Sequence, residues 1–123
     1  MKVVKMSKVA KVPRDMVGGL MTGTQVYGQA VLEPGDSNNF NFGVVHFSAG
    51  SRNKFHKHST DQILVITEGI GKVATDREVV TVRKGDVVVI RAGENHWHGA
   101  PGKTAMAHIT VTGKGSQTTQ TER

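Results

Sequence analysis

All six histidines of the 123-residue sequence lie between positions 46 and 108. His56 and His58 stand two apart in "HKHSTDQ", and Gln62 follows four residues after His58. On an extended strand, residues i and i+2 share one face, with their backbones roughly 6–7 Å apart. Two imidazoles so placed suit nitrogen lone pairs meeting one ion at about 2.0–2.2 Å. A metal grip is the chemistry this spacing points to, and an exposed polar strand face is the other reading of the same pattern. A second stretch, "GDVVVIRAGENHWHG" (85–99), ends a strand in a turn and delivers His96, Trp97 and His98. His98 shares the face of His96, where it can orient a ligand or act as a base. His108 lies further on, in "AMAHITVT" (105–112).

Strands must position these side chains. Glycine occurs 15 times, and valine, threonine and isoleucine fill the stretches between. Period-two patterns run through 24–32, 41–48, 62–69, 71–76, 78–83, 86–93 and 103–112, and no stretch of ten or more residues keeps a helical period. "VATDREVV" predicts a hairpin around Asp76–Arg77, and "VRKGDVV" a tight turn at Lys84–Gly85. Residues 6–20 are irregular. Strands at this spacing predict an all-β sandwich or barrel.

Alternation along those strands sorts the side chains. If His56 points inward, so do His58, Gln62, Leu64 and Ile66. Met106, His108, Thr110 and Thr112 share one face, and if it is inward His108 is either an acid/base or a hydrogen-bonded core histidine. If Gly43, Val45 and Phe47 face the cavity, His46 points out and is structural. Trp97 alternates away from the ligands. Phe40, Phe42, Phe47 and Phe55 are expected in the core, and Arg52 and Lys54 at the rim.

Composition narrows the function classes. There is no cysteine, so neither a disulfide framework nor a thiolate ligand or nucleophile is available. The formal charge is +6, with five basic residues in the first fourteen positions. Aromatic residues do not alternate with those lysines, so the stretch reads as a solvated basic arm rather than a nucleic-acid surface. The same lysines interrupt any apolar leader segment, and no apolar run approaches the ~20 residues needed to cross a bilayer. These features lead to the expectation of a soluble cytoplasmic protein without nucleic-acid or membrane partners.

Taken together, the two histidine stretches resemble the cupin superfamily. Its first motif is G-x5-H-x-H-x3,4-E-x6-G, and Gly50, His56, His58, Gln62 and Gly69 keep that spacing with glutamine replacing glutamate. Its second is G-x5-P-x-G-x2-H-x3-N. Gly85, Gly93 and His96 match it, whereas Arg91 stands for the proline and Ala100 for the asparagine, departures that concern turn structure. The resemblance implies an all-β double-stranded β-helix, the cupin jelly-roll barrel. Residues 1–112 would form a single domain including the basic arm, and the polar tail 113–123 would be disordered.

The resemblance also implies a divalent metal on His56, His58, Gln62 and His96, with about two positions left open in an octahedral site. Manganese (Mn2+) is the first choice, and Fe2+, Zn2+ and Ni2+ suit the same donors. A neutral amide in place of a carboxylate leaves the ion its full charge, which strengthens a Lewis acid and disfavours the trivalent state. "HWHGAPGKTAMAH" (96–108) is similar to a narrower group, the cupin-type hydroxynitrile lyases. That likeness implies Lewis-acid lyase chemistry on a small aldehyde or cyanohydrin-type substrate. His98 and His108 would be its active-site histidines, with His108 favoured for proton transfer and His98 for orientation. It also implies a homodimer. The rival functions are a small metal-dependent dioxygenase and a non-catalytic, small-molecule-binding or sensing cupin.

Overall fold

The computed structural model describes residues 1–123. Twelve strands follow in chain order: β1 (Val12–Pro13), β2 (Met21–Gly23), β3 (Val26–Ala30), β4 (Phe40–Phe47), β5 (Ser51–Asn53), β6 (His56–His58), β7 (Gln62–Thr75), β8 (Val79–Arg83), β9 (Val87–Ile90), β10 (His96–Ala100), β11 (Met106–Gly113) and β12 (Thr118–Gln120). A single 3-10 turn at Met6–Lys8 is the one helical element. No helix is long and apolar enough to cross a membrane.

The strands form one sheet curled back on itself, and β7 joins its two halves. Residues 62–69 of β7 pair with β11, and residues 62–65 also pair with β9. Residues 70–75 pair instead with β8 and β10. The first half continues outward through β11, β4, β3 and β1, and the second through β10, β5 and β2. β6 lies against β10, and β12 lies outside β6. The stretches 62–69 and 71–76, expected as separate strands, are thus one fourteen-residue strand.

Apolar positions of both halves face each other. Val26, Val45, Phe47, Leu64, Ile66, Ile90 and Met106 meet Val73, Val82 and Ala100 in one buried cluster. The expected alternation holds along β7, where Gln62, Leu64 and Ile66 are buried and Ile63 is exposed. Of the four phenylalanines expected in the core, Phe47 is there, whereas Phe40 begins an exposed stretch of β4 and is 56% accessible.

The turns follow the sequence signals. Thr75 N–H donates to Glu78 O (2.9 Å) to close the β7–β8 hairpin around Asp76–Arg77. The Arg83–Asp86 turn is closed by Asp86 N–H on Arg83 O (2.9 Å) and by Arg83 N–H on the Asp86 carboxylate (2.8 Å). Gly85 within it has φ 97°.

Two polar segments are more ordered than their composition suggests. The basic arm is strapped to the sheet by Gln29, whose amide NH2 donates to Met6 O (3.0 Å) and Val9 O (2.8 Å). Its remaining oxygen lies 2.6 Å from His46 Nε2, which must therefore carry a proton. His46 has the structural role its register implies. The tail, expected to be disordered over 113–123, instead forms β12 on the edge of β6. Composition missed this strand because its stability comes from backbone pairing to a distant segment, not from burial of its own side chains, all of which are exposed.

Gly69, the last glycine of the first motif, sits where β7 changes partners, with φ 72°. A Cβ there would collide with the Ala105 carbonyl. A Cβ on Gly85 would meet open space. Gly69→Ala is therefore expected to combine backbone strain with overpacking, at about 1–3 kcal/mol beyond the backbone term alone. Gly85→Ala carries only that backbone term, about 1 kcal/mol. Thermal unfolding of the metal-free variants should rank Gly85→Ala above Gly69→Ala, and equal melting temperatures would refute this account of the β7 crossover.

Candidate metal centre

His56 on β6 and His96 on β10 are directly opposed in register, so their side chains enter from one face of the sheet. His58 lies two residues beyond His56. The ring centroids are 4.3 Å apart for His56–His96, 4.9 Å for His56–His58 and 5.3 Å for His58–His96. One nitrogen from each ring converges, all within 4.8 Å of one another, and the three could hold a metal ion. Gly93, in the turn before β10, donates its N–H to the His58 carbonyl (2.8 Å), tying the second histidine stretch to the first.

Hydrogen bonds on the outer nitrogens decide which nitrogen faces inward. His56 Nδ1 lies 2.6 Å from Lys54 O, and His96 Nδ1 lies 2.9 Å from Glu94 O. A carbonyl can only accept, so both Nδ1 atoms carry the proton and both Nε2 atoms present lone pairs. His58 Nδ1 meets Thr118 Oγ1 at 2.9 Å. Its Nε2 is buried without a hydrogen-bond partner, so its lone pair is available to a cation. Burial depresses all three imidazoles. His56 is pushed down to about 4, with the neighbouring His96 adding to the effect. His58 and His96 are also lowered, chiefly by burial. Neutral imidazoles are the form that binds metal.

Gln62, at the start of β7, is buried and reaches the same place. Its NH2 donates to Thr110 Oγ1 (2.8 Å), which turns Oε1 to within 3.1 Å of His96 Nε2. Both of those facing atoms are lone-pair donors once His96 Nδ1 holds the proton, so the pair suits a shared cation. The Thr110 hydroxyl can accept or donate and would support the opposite amide orientation as well. The four residues expected as ligands are thus together, and the chemistry of the donor set, three imidazoles and one amide oxygen without sulfur, fits a divalent ion.

His98 and His108 form a second group beside the first. His98 stacks on His96 (centroids 5.5 Å, interplanar angle 17°) and lies 5.6 Å from His56. His108 lies behind it, with Nε2 2.9 Å from His98 Nδ1 and its other ring contact on Phe47. Both are fully buried. Burial pushes His108 down to about 4 and His98 well below its ordinary range, with the neighbouring imidazoles adding to the effect on His98.

Sequence reading missed three residues that serve these groups. Asn53 on β5 accepts the His98 backbone N–H through Oδ1 (2.8 Å) and places its NH2 3.3 Å from both His98 ring nitrogens. Thr118 meets His58, and Glu122 holds Arg52 in a two-bond ion pair (3.1 and 2.9 Å). Arg52, expected at the rim, lies over the Trp97 ring at 4.8 Å. Pairing between strands far apart in sequence creates all of these contacts, and no local pattern encodes it.

Residues 43–112 match the cupin domain family, a span that holds both histidine stretches and every residue named in these groups except Thr118 and Glu122. The chain belongs to the cupin family. The cupin is 40% identical over 68 residues to the (R)-mandelonitrile lyase of Granulicella tundricola, covering 54% of this chain and 52% of that one. It therefore spans about half the length of that curated relative. Its fold is similar to a cupin-like protein from Thermotoga maritima (TM-score 0.79, 24% identity, 99% of this chain and 90% of that chain). It is also similar to the polyketide cyclase RemF from Streptomyces resistomycificus (TM-score 0.85, 16% identity, 100% and 87%). At these identities the likeness establishes the double-stranded β-helix fold and nothing of the chemistry.

The cupin's buried histidines make stability depend on pH. Burial pushes folded His108 down to about 4, against 6.5 for an ordinary histidine. Between those values the unfolded chain binds more protons, so the contribution is full above pH 6.5 and is lost as pH falls towards 4. The unfolding free energy of the metal-free cupin should fall across that window, and His108→Gln should flatten the slope. Chemical denaturation at stepped pH measures both, and an unchanged slope would count against a neutral, buried His108.

Proposed function

We propose that this cupin is a metal-dependent lyase acting on a small aldehyde or cyanohydrin-type substrate. The observation that carries the reading is the buried His98–His108 couple standing 5.5 Å, ring to ring, from the His96 donor. The 40% identity to a protein named as a mandelonitrile lyase supports it. His56, His58 and His96 would hold a divalent ion through Nε2 and Gln62 through Oε1, with Mn2+ as first choice. Such an ion, when bound, supplies Lewis-acid polarisation of a substrate oxygen. Gln62 contributes no negative charge, so the donor set leaves that polarisation undiminished.

The chain's own residues then handle the proton. His98 and His108 share one hydrogen bond, and two tautomer pairs satisfy it. In one, His108 Nε2–H donates to His98 Nδ1, and His98 Nε2 carries the ring's only proton, which it can share in a hydrogen bond but not release. In the other, His98 Nδ1–H donates to His108 Nε2, and His98 Nε2 offers a lone pair that can take one. The second pair can thus act as a base at His98 Nε2, and the cation so formed, with His98 Nδ1–H still on His108 Nε2, is the acid that returns the proton. Burial favours the neutral form of both rings, so a proton taken up at His98 is readily returned. In this reading His98 makes the direct exchange and His108 supports it, whereas the sequence expectation favoured His108 for proton transfer and His98 for orientation. A valine-lined cleft of about 410 Å³ includes Val73 and Thr75, which pair with His98 and His96 across β7 and β10. None of the site histidines lines it. The proposal includes a homodimer working in the cytoplasm.

Metal-loaded protein should convert benzaldehyde and cyanide to the cyanohydrin, followed by chiral chromatography. His98→Ala and His108→Ala should each lose about 10²–10⁴ in kcat with metal content retained, and the double variant little more than either. Failure of the loaded wild-type protein to form cyanohydrin overturns the lyase reading. Gln62→Glu should bind Mn2+ more tightly and turn over more slowly, and a rise in both quantities would remove the neutral ligand from the account.

A further inference from the structure

The strand that presents two of the three histidines is weakly held by the barrel itself. β6 is three residues long and meets β10 at a single register pair, His96 with His56. Its other neighbour is β12, which pairs with all three of its residues: Thr118 with His58, Thr119 with Lys57, and Gln120 with His56. Backbone bonds bracket this ladder at Ser59 N–H to Gln117 O (2.9 Å) and Thr121 N–H to Phe55 O (2.9 Å). Antiparallel ladders alternate, so Lys57–Thr119 is a hydrogen-bonded pair and His58–Thr118 a non-hydrogen-bonded one. Side chains approach most closely in pairs of the second kind.

The three imidazoles also differ in how they are oriented. His56 and His96 donate to carbonyls two residues before them in their own segments. His58 meets a side-chain hydroxyl sixty residues away, Thr118 Oγ1 at 2.9 Å. When Oγ1 accepts from Nδ1–H, His58 Nε2 keeps its lone pair, and this is the buried, unpartnered nitrogen that faces the other donors. Without that acceptor the ring is free to rotate and to place its proton on Nε2, which then cannot ligate.

We propose that the C-terminal strand is part of the metal centre: β12 orders β6, and Thr118 is the positioning residue that fixes the ring and tautomer of His58. The proposal rests on the reading of His56, His58 and His96 as metal ligands. Glu122 fastens the end of the strand by its ion pair with Arg52 and by accepting Phe55 N–H (2.9 Å). The tail would thereby couple ion binding to its own order: an ion should tighten the tail, and loosening the tail should release the ion.

The test is Mn2+ titration of the full-length chain, following the electron paramagnetic resonance signal of the free ion, with melting temperatures in excess chelator. Thr118→Val removes the hydroxyl at nearly constant shape and should weaken Mn2+ binding about tenfold or more. Thr118→Ser restores a hydroxyl and should bind within about twofold of the wild type. Thr119→Pro deletes the central ladder N–H and should weaken binding at least as much as Thr118→Val. The metal-free melting temperatures of Thr118→Val and Thr118→Ser should match, while the rise on adding Mn2+ should shrink for Thr118→Val alone. Wild-type affinity in Thr118→Val and Thr119→Pro would overturn the role of the tail and leave the three-histidine site standing. A wild-type chain that takes up no Mn2+ would overturn both.

Discussion

A neutral imidazole can be buried only when its N–H is answered, and each such answer leaves the opposite nitrogen with a lone pair that must go somewhere. Much of this barrel is arranged around that constraint. Lys54 O and Glu94 O answer His56 and His96, and Thr118 answers His58. The consequence is three Nε2 atoms gathered within 4.8 Å of one another, an arrangement unfavourable in itself and favourable with a cation among them. His98 and His108 share a single hydrogen bond, which answers one N–H of the pair and leaves His108 Nδ1 buried without a partner. One group is left electron-rich, the other linked by one internal bond and able to take up a single proton and return it. Their adjacency is what gives the site its chemical character.

The fold serves this arrangement through two devices. One is β7, which carries Gln62 at its start and passes from one half of the sheet to the other at Gly69, so that residues 62–69 and 70–75 bring β11 and β10 to opposite ends of one strand. His108 and His98 meet because their strands share it. The other is the cross-bonding of the motifs: Gly93 N–H on His58 O, and Gly50 N–H on Ala100 O (2.7 Å), bind the first histidine stretch to the second at both ends. Ala100 fills the place where family members carry asparagine, and the backbone contact is made without that side chain.

Much of this was legible in the sequence because it rests on local rules. Alternation grouped the side chains of β7 and of β11 by face, glycine marked the turns, and i, i+2 spacing paired His56 with His58 and His96 with His98. The unread part depends on pairings between distant segments. Asn53 is an unremarked asparagine until β5 is laid against β10, and Thr118 lies in a run of polar residues whose composition signals disorder. β12 buries nothing of its own; it is ordered by what it pairs with. The order of His98 and His108 relative to the donors was equally unreadable, since alternation gives the face of a side chain but not how deep it stands from a centre formed by other strands.

Gln62 is where the account is most exposed. Its amide can present oxygen or NH2 to His96 while Thr110 serves either orientation, and only the oxygen can join three imidazoles around a cation. Anomalous diffraction at the manganese edge from a crystal of the Mn2+-loaded protein resolves this directly. The account predicts one strong peak per chain, within coordinating distance of Nε2 of His56, His58 and His96 and of the Gln62 amide, with Thr110 Oγ1 on the far side of that amide. A peak held elsewhere, or one that leaves Gln62 hydrogen-bonded to His96 and out of the coordination sphere, would contradict it.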